Sequence, residues 1–401
     1  MALQDRLATL SAAAGDDREA GAVTPGPGRA ASPMGIVPVR LPGGGTTPLM
    51  RVMLTNACSL ACGYCATWCG RRMKRTSVSP EELARGFMAV HRKGLAKGLF
   101  LTSGVPGRPV KAMDRLLAAA ELLREREEYR GYLHLKLLPG AEPAQVERAA
   151  LLADRLSVNL EAPTDGHLQR LAPEKRLAED LLPKLLQAGQ LWRQGRLERR
   201  PGRPVPAGTT TQFVVGGAGE RDREILGLVA RLEGERLLHH AHFSAFQPVA
   251  DTPMEGAPAT PMTREFRLYQ AEHLLRQYGF TLEELPFDPD GDLPLDRDPK
   301  LAWTLGHPEW FPVELLTADL GQLLRVPGIG PTAARRIVAE RRRVVLRGLA
   351  DLRRLGVQTA RAASFLTLRG RRLGAGPPPE QLRLHLPRAP LHTLVPPCAY
   401  R

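Results

Sequence analysis

Three cysteines are clustered in the segment Asn56-Ala57-Cys58-Ser59-Leu60-Ala61-Cys62-Gly63-Tyr64-Cys65. Their Cys-x3-Cys-x2-Cys spacing places three thiolates on one short loop. Iron–sulfur clusters that only carry electrons are usually held by four cysteines, and structural zinc sites close with four ligands. Three closely spaced thiolates therefore indicate a four-iron cluster in which one iron has no protein ligand. Such an iron is open to chemistry.

A fourth cysteine, Cys69, leaves a closed site as an alternative. The spacing also allows a zinc or iron–sulfur site with Cys69 as the fourth thiolate. Zinc sites normally combine two short ligand pairs separated by a longer loop, and no second pair follows here. Cys69 is therefore predicted to lie beside the cluster without binding it. Cys398 is predicted to be a free thiol, because five cysteines suit a reducing cytoplasm better than a disulfide framework.

Composition and charge limit the classes of protein to consider. A hydrophobic fraction of 43% in 401 residues is ordinary for a globular protein. No apolar run approaches the roughly 20 residues that span a bilayer, and no secretory signal begins the chain, so a cytoplasmic protein without membrane contact is predicted. The net charge of +14 fits a polyanionic partner. An arginine-rich composition caused by genome base bias is the alternative explanation of that charge.

Short apolar runs alternate with longer amphipathic segments, which is typical of parallel βα units. The predicted strands are Leu49–Leu54, Gly98–Thr102, Tyr132–Leu137, Arg155–Leu160, Thr210–Val215 and His240–Phe246. The predicted helices are Pro80–Lys93, Val110–Glu127, Pro143–Ala153, Glu174–Trp192, Arg221–Leu232 and Thr263–Tyr278, with a short further helix at Leu3–Ala14. Six units are too few for a complete eight-unit TIM barrel. The predicted fold class is therefore α/β, with a partial, TIM-like (β/α)6 barrel.

The remaining segments suggest a small second domain. The predicted organisation is an N-terminal Gly/Pro-rich extension over 1–47, the barrel over 48–280, a connector over 281–318, a small all-α module over 319–370 and a Pro-rich tail over 371–401. Within the module, Leu324-Arg325-Val326-Pro327-Gly328-Ile329-Gly330-Pro331 has the apolar-Gly-apolar-Gly pattern of a helix-hairpin-helix motif. Leu355-Gly356-Val357 is predicted to be a degenerate second hairpin.

The hairpin pattern predicts an anion site. Its two glycines allow a tight turn with exposed amides, and the positive end of the next helix follows immediately, which suits a DNA phosphate. The predicted DNA-binding residues are Gly328, Ile329, Gly330, Arg335 and Arg336, with Arg325 adding charge nearby. A hairpin used only for packing or for protein contacts is the alternative.

Polar residues follow the predicted barrel strands, at the end where functional groups collect in such barrels. The second strand ends in Leu101-Thr102-Ser103-Gly104, and the third carries His134 and Lys136 on one face. The fourth carries Ser157, Asn159 and Glu161 on one face, and the fifth carries Gln212 and Val214. A buried carboxylate such as Glu161 needs a partner, and a ribose diol is a suitable one.

The cysteine triplet resembles the signature loop of the radical S-adenosylmethionine (SAM) superfamily. The resemblance implies a [4Fe–4S] cluster bound by Cys58, Cys62 and Cys65, with SAM chelating the open iron. Reductive cleavage of SAM would then give methionine and a 5′-deoxyadenosyl radical that abstracts hydrogen from the substrate. The cofactor contacts that it implies are Tyr64, Ser103, Gly104, Lys136, Asn159, Glu161, Gln212 and Val214. The acidic residue usual after the second strand is absent, since Val105 and Pro106 follow Gly104.

A narrower resemblance covers roughly residues 48–370. The chain resembles radical SAM proteins described as DNA modification or repair proteins. The resemblance rests on Leu101-Thr102-Ser103-Gly104, His134-Leu135-Lys136, Asn159-Leu160-Glu161-Ala162-Pro163-Thr164 and Thr211-Gln212-Phe213-Val214-Val215-Gly216, and it extends to Asp298-Pro299-Lys300-Leu301-Ala302-Trp303 and the Pro-Gly-Ile-Gly hairpin. That group implies a DNA substrate, a uracil-glycosylase-like partner, and an electron donor such as flavodoxin or ferredoxin. A radical SAM enzyme acting on RNA or protein, and a non-enzymatic iron–sulfur DNA-binding protein, are the alternatives.

Overall fold

The computed structural model describes residues 2–15, 34–40, 45–198 and 204–374. Two compact units divide the chain. Among the described residues, the first comprises those up to Glu220 together with Arg231–Met262, and the second comprises Arg221–Ala230 and residues 263–374. Residues 16–33 and 41–44 of the predicted N-terminal extension, the predicted tail beyond residue 374 and Cys398 lie outside the described residues.

The first unit is built on a curled, half-barrel sheet of seven strands. The strands are β1 (Ile36–Arg40), β2 (Thr46–Met53), β3 (Gly98–Thr102), β4 (Tyr132–Lys136), β5 (Arg155–Ser157), β6 (Thr209–Val215) and β7 (His240–Ala245). Strands β2 to β7 are parallel and lie in chain order, so the six predicted βα units are confirmed. β1 pairs with β2 in the antiparallel sense and was not predicted.

Helices follow each parallel strand. They are α2 (Pro80–Arg92), α3 (Pro109–Glu121), α4 (Pro143–Leu152), α5 (Asp165–Leu171), α6 (Leu182–Glu198), α7 (Asp222–Gly234) and α8 (Met262–Tyr278), and one further helix, α1 (Leu3–Ala13), precedes the sheet. The start of α2 shows why the sequence folds this way, because the Ser79 side chain caps the Glu82 amide and Pro80 occupies the first turn. α5 was not predicted. No helix in the described ranges is long and apolar enough to cross a membrane.

Strand β5 is shorter than predicted, and this changes the position of the polar stripe. The predicted strand ran to Leu160, but the ladder ends at Ser157. Glu161 adopts a positive φ of 66°, a conformation that interrupts a regular strand. It rejoins the sheet through one isolated bridge to Phe213. Asn159 and Glu161 therefore lie on the segment that follows the strand.

The N-terminal segment packs on the first unit more closely than a peripheral extension would. Leu7 and Leu10 of α1 are fully buried. Gly86 of α2 lies so close to Leu7 that a Cβ there would meet the leucine Cδ1 at 2.3 Å. Arg6 also forms an ion pair with Glu82. Helix α1 thus contributes apolar surface to the core of the unit.

The second unit contains helices and a small sheet. Its elements after α8 are α9 (Pro299–Gly306), β8 (Val313–Glu314), α10 (Leu320–Arg325), α11 (Pro331–Glu340), α12 (Leu349–Arg354), α13 (Thr359–Ala362), β9 (Leu366–Leu368) and β10 (Arg371–Arg372). The strands form a three-stranded sheet in the order β10-β9-β8. The segment 319–370, predicted to be all-α, therefore also contains one short strand, β9, whose three residues are buried.

One hydrophobic cluster joins the predicted connector to the predicted module. Leu301 and Val313 pack in the same cluster as Ile329, Ile337 and Leu366. The division between compact units consequently falls near Met262, and it differs from the predicted boundaries at residues 280 and 318. A core shared in this way makes the connector part of the unit that carries the hairpins.

Candidate functional site

The carboxyl ends of the barrel strands open into a cavity of about 360 Å³ within the first unit. Ligand-binding cavities commonly measure about 300–1,000 Å³. All eleven cofactor and metal residues predicted from the sequence line it: Cys58, Cys62, Tyr64, Cys65, Ser103, Gly104, Lys136, Asn159, Glu161, Gln212 and Val214. His134 does not line the cavity, since it lies one layer deeper, fully buried against Phe100 with ring centroids 4.6 Å apart.

The four described cysteines divide into three that face the cavity and one that does not. Cys62 is buried, at 7% exposure, and Cys58 and Cys65 are half-buried. Cys69 is exposed and is not part of the cavity lining. Burial raises the pKa of the Cys62 thiol to about 12 and also raises that of Cys65. These thiols are therefore protonated until a metal group binds, and binding must release protons.

The arrangement of the thiols fits a cluster better than a single metal ion. Among the described residues, no three His, Cys, Asp or Glu side chains are close enough together to hold one ion. A [4Fe–4S] cluster takes each thiolate on a different iron, so its ligands stand apart around the cluster. Three thiols that line one cavity without converging on a point are suited to that group.

Two side chains, Asn56 and Arg75, fix the ends of the cysteine loop. The guanidinium of Arg75 donates to five backbone carbonyls, those of Asn56 (2.8 Å), Thr67 (2.9 Å), Trp68 (2.6 Å), Cys69 (3.4 Å) and Arg71 (3.1 Å). The fully buried Asn56 side chain accepts from the Thr76 amide at 2.6 Å and donates to the Lys74 carbonyl at 3.0 Å. The loop is therefore held from within, although it has no regular secondary structure.

Gly104 lets the end of β3 approach the cysteine loop. Its amide donates to the Thr55 carbonyl at 2.8 Å, and a Cβ at this position would lie 2.3 Å from the Ala57 carbonyl oxygen. The next residue, Val105, donates its amide towards Cys58 Sγ at 3.5 Å. Gly104, which was predicted as a cofactor contact, thus also allows the cysteine loop to pack against the end of β3. Any side chain at this position would displace the backbone that carries Cys58.

Glu161 forms a buried ion pair with a lysine that the sequence pattern did not reveal. Lys175 Nζ lies 3.0 Å from Glu161 Oε1, and the two side chains are 8% and 4% exposed. Lys175 Nζ also lies 3.4 Å from the Tyr64 hydroxyl. Burial opposes the charge on Lys175, but the Glu161 carboxylate and its hydrogen bond to the lysine raise the pKa of Lys175 overall. Burial, together with Glu161, raises the pKa of Tyr64 as well, so its hydroxyl stays protonated.

The remaining cavity residues come from neighbouring strands. Lys136 ends β4, and Gln212 and Val214 lie on one face of β6. Phe246, directly after β7, adds an aromatic wall. The cavity therefore combines an apolar wall with a few polar groups, an arrangement that suits a nucleoside with charged substituents.

The predicted hairpin residues lie in the second unit. Gly328 has a positive φ of 83°, Ile329 is buried, and Gly330 precedes the first turn of α11. Arg335 and Arg336 are exposed on α11. Two short helices, α12 and α13, flank the segment around Gly356 that was predicted as a degenerate second hairpin.

Arg325 does not belong to the exposed charge of the hairpin. It is 9% exposed and donates to the carbonyls of Tyr278 (3.1 Å) and Gly279 (3.2 Å). It also pairs with Glu284 at 2.6 Å, and its guanidinium stacks 3.8 Å from the Phe280 ring centroid. Arg325 is therefore paired inside the second unit. The prediction that it adds charge at the DNA-binding hairpin is wrong.

A half barrel with three free thiols and a nucleoside-sized cavity at its strand ends is the architecture of a SAM-dependent iron–sulfur domain. Residues 52–232 match the family model described as "Radical SAM superfamily". Residues 52–232 therefore form a radical SAM domain. Proteins of this superfamily use a [4Fe–4S] cluster and SAM, and Cys58, Cys62 and Cys65 lie near the start of the matched residues.

Solved structures with a similar chain course are distant in sequence. The [FeFe]-hydrogenase maturase HydG from Carboxydothermus hydrogenoformans is 14% identical, with a TM-score of 0.42 over 57% of this chain and 51% of that chain. Methylornithine synthase (PylB) is 16% identical, with a TM-score of 0.42 over 64% and 67%. The radical SAM methyltransferase TsrM from Kitasatospora setae is 14% identical, with a TM-score of 0.36 over 52% and 38%. The chain thus spans about half the length of HydG. A search of curated protein sequences finds no match.

Proposed function

We propose that this enzyme cleaves SAM reductively and uses the resulting radical to modify or repair DNA. The observation that carries the DNA assignment is the charge of residues 319–374. This segment holds thirteen arginines, no lysine and three carboxylates, a net charge of +10 out of +14 for the whole chain. Ten of the arginines are exposed. Base bias alone would spread arginine along the sequence, whereas a polyanion-binding surface concentrates it.

In the barrel, Cys58, Cys62 and Cys65 hold the cluster, and Ser103, Lys136, Asn159 and Glu161 hold SAM. The bound cluster and SAM together supply an electron and a carbon-centred radical. The protein binds and orients the cofactor: the ammonium of Lys136 suits the SAM carboxylate, and Glu161 suits the ribose hydroxyls. The closed apolar side, which includes Val214 and Phe246, keeps water from a reactive intermediate.

The first hairpin has the geometry of a phosphate site. Gly330 has no side chain with which to cap α11, so the first-turn amides of this ten-residue helix keep no side-chain acceptor. The carbonyls of the turn are already used, since Gly328 accepts from the Gln358 amide at 2.9 Å and Ile329 accepts from Lys300 at 2.7 Å. The backbone amides at the start of α11 are therefore available to a ligand, whereas the carbonyls of Gly328 and Ile329 are occupied within the unit. A group of donors without acceptors suits an anion.

The second hairpin supports the first and adds charge. A Cβ on Gly328 would lie 2.6 Å from the Gln358 carbonyl, so the two turns are in close contact. The Arg336 guanidinium lies beside Gly356, within 3.8 Å of where its Cβ would be. Arg353 and Arg354 of α12 are exposed. We propose that this pair of hairpins is a helix-hairpin-helix module that binds the DNA backbone without reading its bases.

Reversing two hairpin charges tests the DNA assignment. We expect Arg335→Glu with Arg336→Glu to weaken duplex DNA binding roughly tenfold, and to reduce the slope of log K against log salt by about two, one for each phosphate that the variant no longer neutralises. The measurement is fluorescence anisotropy at several salt concentrations. Gly328→Glu is unsuitable, because its side chain would collide with Gln358 and disturb the fold.

The matched control is Arg126→Glu with Arg130→Glu, the same charge change at two exposed arginines of the first unit. It should change the salt slope far less. Equal losses of affinity in both pairs would show a nonspecific charge effect and contradict a hairpin site. Tighter binding to RNA than to duplex DNA, abolished in the hairpin variant, would favour the alternative of an RNA substrate.

The partners follow from this function. An electron donor such as flavodoxin or ferredoxin would reduce the cluster. A uracil-glycosylase-like protein, the partner implied by the sequence resemblance, would act on the same substrate. A base within a duplex must leave the stack before a radical in the barrel can reach it.

A further inference from the structure

Lys175 reaches the cavity from a turn that is docked on the cysteine loop. The turn follows α5, and its Leu171 carbonyl accepts from the Gly63 amide at 2.8 Å. The Glu174 carboxylate accepts from the Ala61 amide at 3.3 Å. Both contacts are made to residues between Cys58 and Cys65. The position of Lys175 is therefore tied to the loop that carries the thiols.

The turn itself is held rigidly. Asp165 accepts from the amides of Leu177 (2.6 Å) and Ala178 (3.2 Å). The Arg176 side chain donates back to the carbonyls of Pro173 (2.6 Å) and Lys175 (3.0 Å). A lysine on a flexible loop would lose much entropy on pairing, but here the backbone is fixed by its own contacts. The backbone position from which the Lys175 side chain extends is consequently fixed.

The charge of Lys175 acts on two groups at once. Its Nζ donates to Glu161 Oε1 at 3.0 Å, and Lys175 lines the same cavity as Cys62 and Cys65. Glu161 Oε2 is buried and has no hydrogen-bond partner among the described residues. A buried carboxylate oxygen without a donor is costly unless a ligand supplies one. Lys175 thus holds one oxygen of Glu161 and leaves the other available in the cavity.

We propose that Lys175 is a positioning residue that orients Glu161 towards SAM and places a positive charge beside the cluster, which raises the reduction potential of the cluster. The proposal rests on the part of the proposed function that places cluster and SAM in this cavity, and it is independent of the DNA assignment. Reduction adds one negative charge to a cluster that already carries three thiolates. A buried positive charge favours the reduced form, and a buried carboxylate disfavours it.

Opposite signs are therefore expected for the two partners of the ion pair. Lys175→Met should shift the midpoint potential of the cluster to a more negative value, and Glu161→Gln should shift it to a more positive one. The double variant should return towards the wild-type value. Both single variants should weaken SAM binding about tenfold, since each disturbs a hydrogen bond that involves a charged group. A loss of packing alone would not produce shifts of opposite sign.

Lys175→Arg separates the two effects. It keeps the positive charge, so the potential should stay near that of the wild type, but the larger planar group cannot hold Glu161 in the same geometry and SAM affinity should still fall. The matched control is Lys184→Met, which removes another buried lysine, one paired with Asp180 and outside the cavity lining. That variant should alter neither the potential nor the SAM affinity.

The experiment uses the full-length, anaerobically reconstituted protein. Midpoint potentials come from redox titrations followed by electron paramagnetic resonance, and SAM affinity comes from equilibrium dialysis. Iron and sulfide content show that each variant carries its cluster. Unchanged potentials, or shifts of the same sign in Lys175→Met and Glu161→Gln, would overturn the proposal. Failure of the wild-type protein to bind SAM would instead overturn the assignment of the cavity, so the two failures are distinguishable.

Discussion

Cys62→Ala is expected to abolish the iron–sulfur cluster, whereas Cys69→Ala leaves cluster content unchanged. Cys62 is buried and lines the cavity, and Cys69 is exposed and outside its lining. Iron content after anaerobic reconstitution should fall from about four per chain to near zero in the first variant. Formation of 5′-deoxyadenosine should fall with it, because an enzyme without the cluster cannot reduce SAM.

The pair of variants separates an open site from a closed one. If Cys69 were the fourth thiolate of a closed site, Cys69→Ala would lower iron content as much as Cys62→Ala does. The ultraviolet–visible spectrum and the iron assay give the answer together. Circular dichroism of both variants shows whether the chain remains folded, so that loss of the cluster is not confused with loss of the barrel.

Arg75→Lys is expected to reduce cluster occupancy severely although it preserves the charge. Only a planar guanidinium with five N–H donors can serve several carbonyls at once, and a lysine ammonium can satisfy at most three. At least two of the five carbonyls would lose their donor, and at least one of them belongs to a half-buried contact, whose loss costs about 1–3 kcal/mol. The loop that carries the three thiols should then lose its defined shape. The measurement is iron content together with the rate of proteolysis within the loop.

Arg72→Lys is the control for Arg75→Lys. Arg72 is an exposed neighbour on the same loop, and its backbone amide, not its side chain, donates to Asp251 at 2.7 Å. Cluster occupancy should be the same as in the wild type. Equal occupancy in Arg75→Lys and Arg72→Lys would mean that the carbonyl contacts of Arg75 do not organise the loop.

The barrel could be predicted from the sequence because its pattern is local. Parallel strands that are buried on both faces have continuous apolar runs, and the six runs predicted here all overlap observed strands. The placement of polar residues at strand ends follows from alternation along each strand, so the pattern alone indicates Lys136, Gln212 and Val214. The cysteine spacing required no structural information.

Other features depend on contacts between distant segments, which periodicity does not encode. Lys175 meets Glu161 only because an irregular turn after α5 docks on the cysteine loop. Arg75 looks like any surface arginine in the sequence, yet its donors all point into the loop. Arg325 was wrongly predicted as an exposed charge for the same reason. Its burial depends on contacts with Phe280 and Glu284, which are more than 40 residues away in the sequence.

We propose that Cys58, Cys62 and Cys65 hold a cluster with one iron open to SAM. The most direct measurement is the electron paramagnetic resonance spectrum of the dithionite-reduced protein before and after SAM is added, with 5′-deoxyadenosine assayed in the same sample. We predict a signal typical of a reduced [4Fe–4S] cluster, a clear change of that signal with SAM, and formation of 5′-deoxyadenosine. A spectrum that SAM leaves unchanged, with no 5′-deoxyadenosine formed, would contradict the claim.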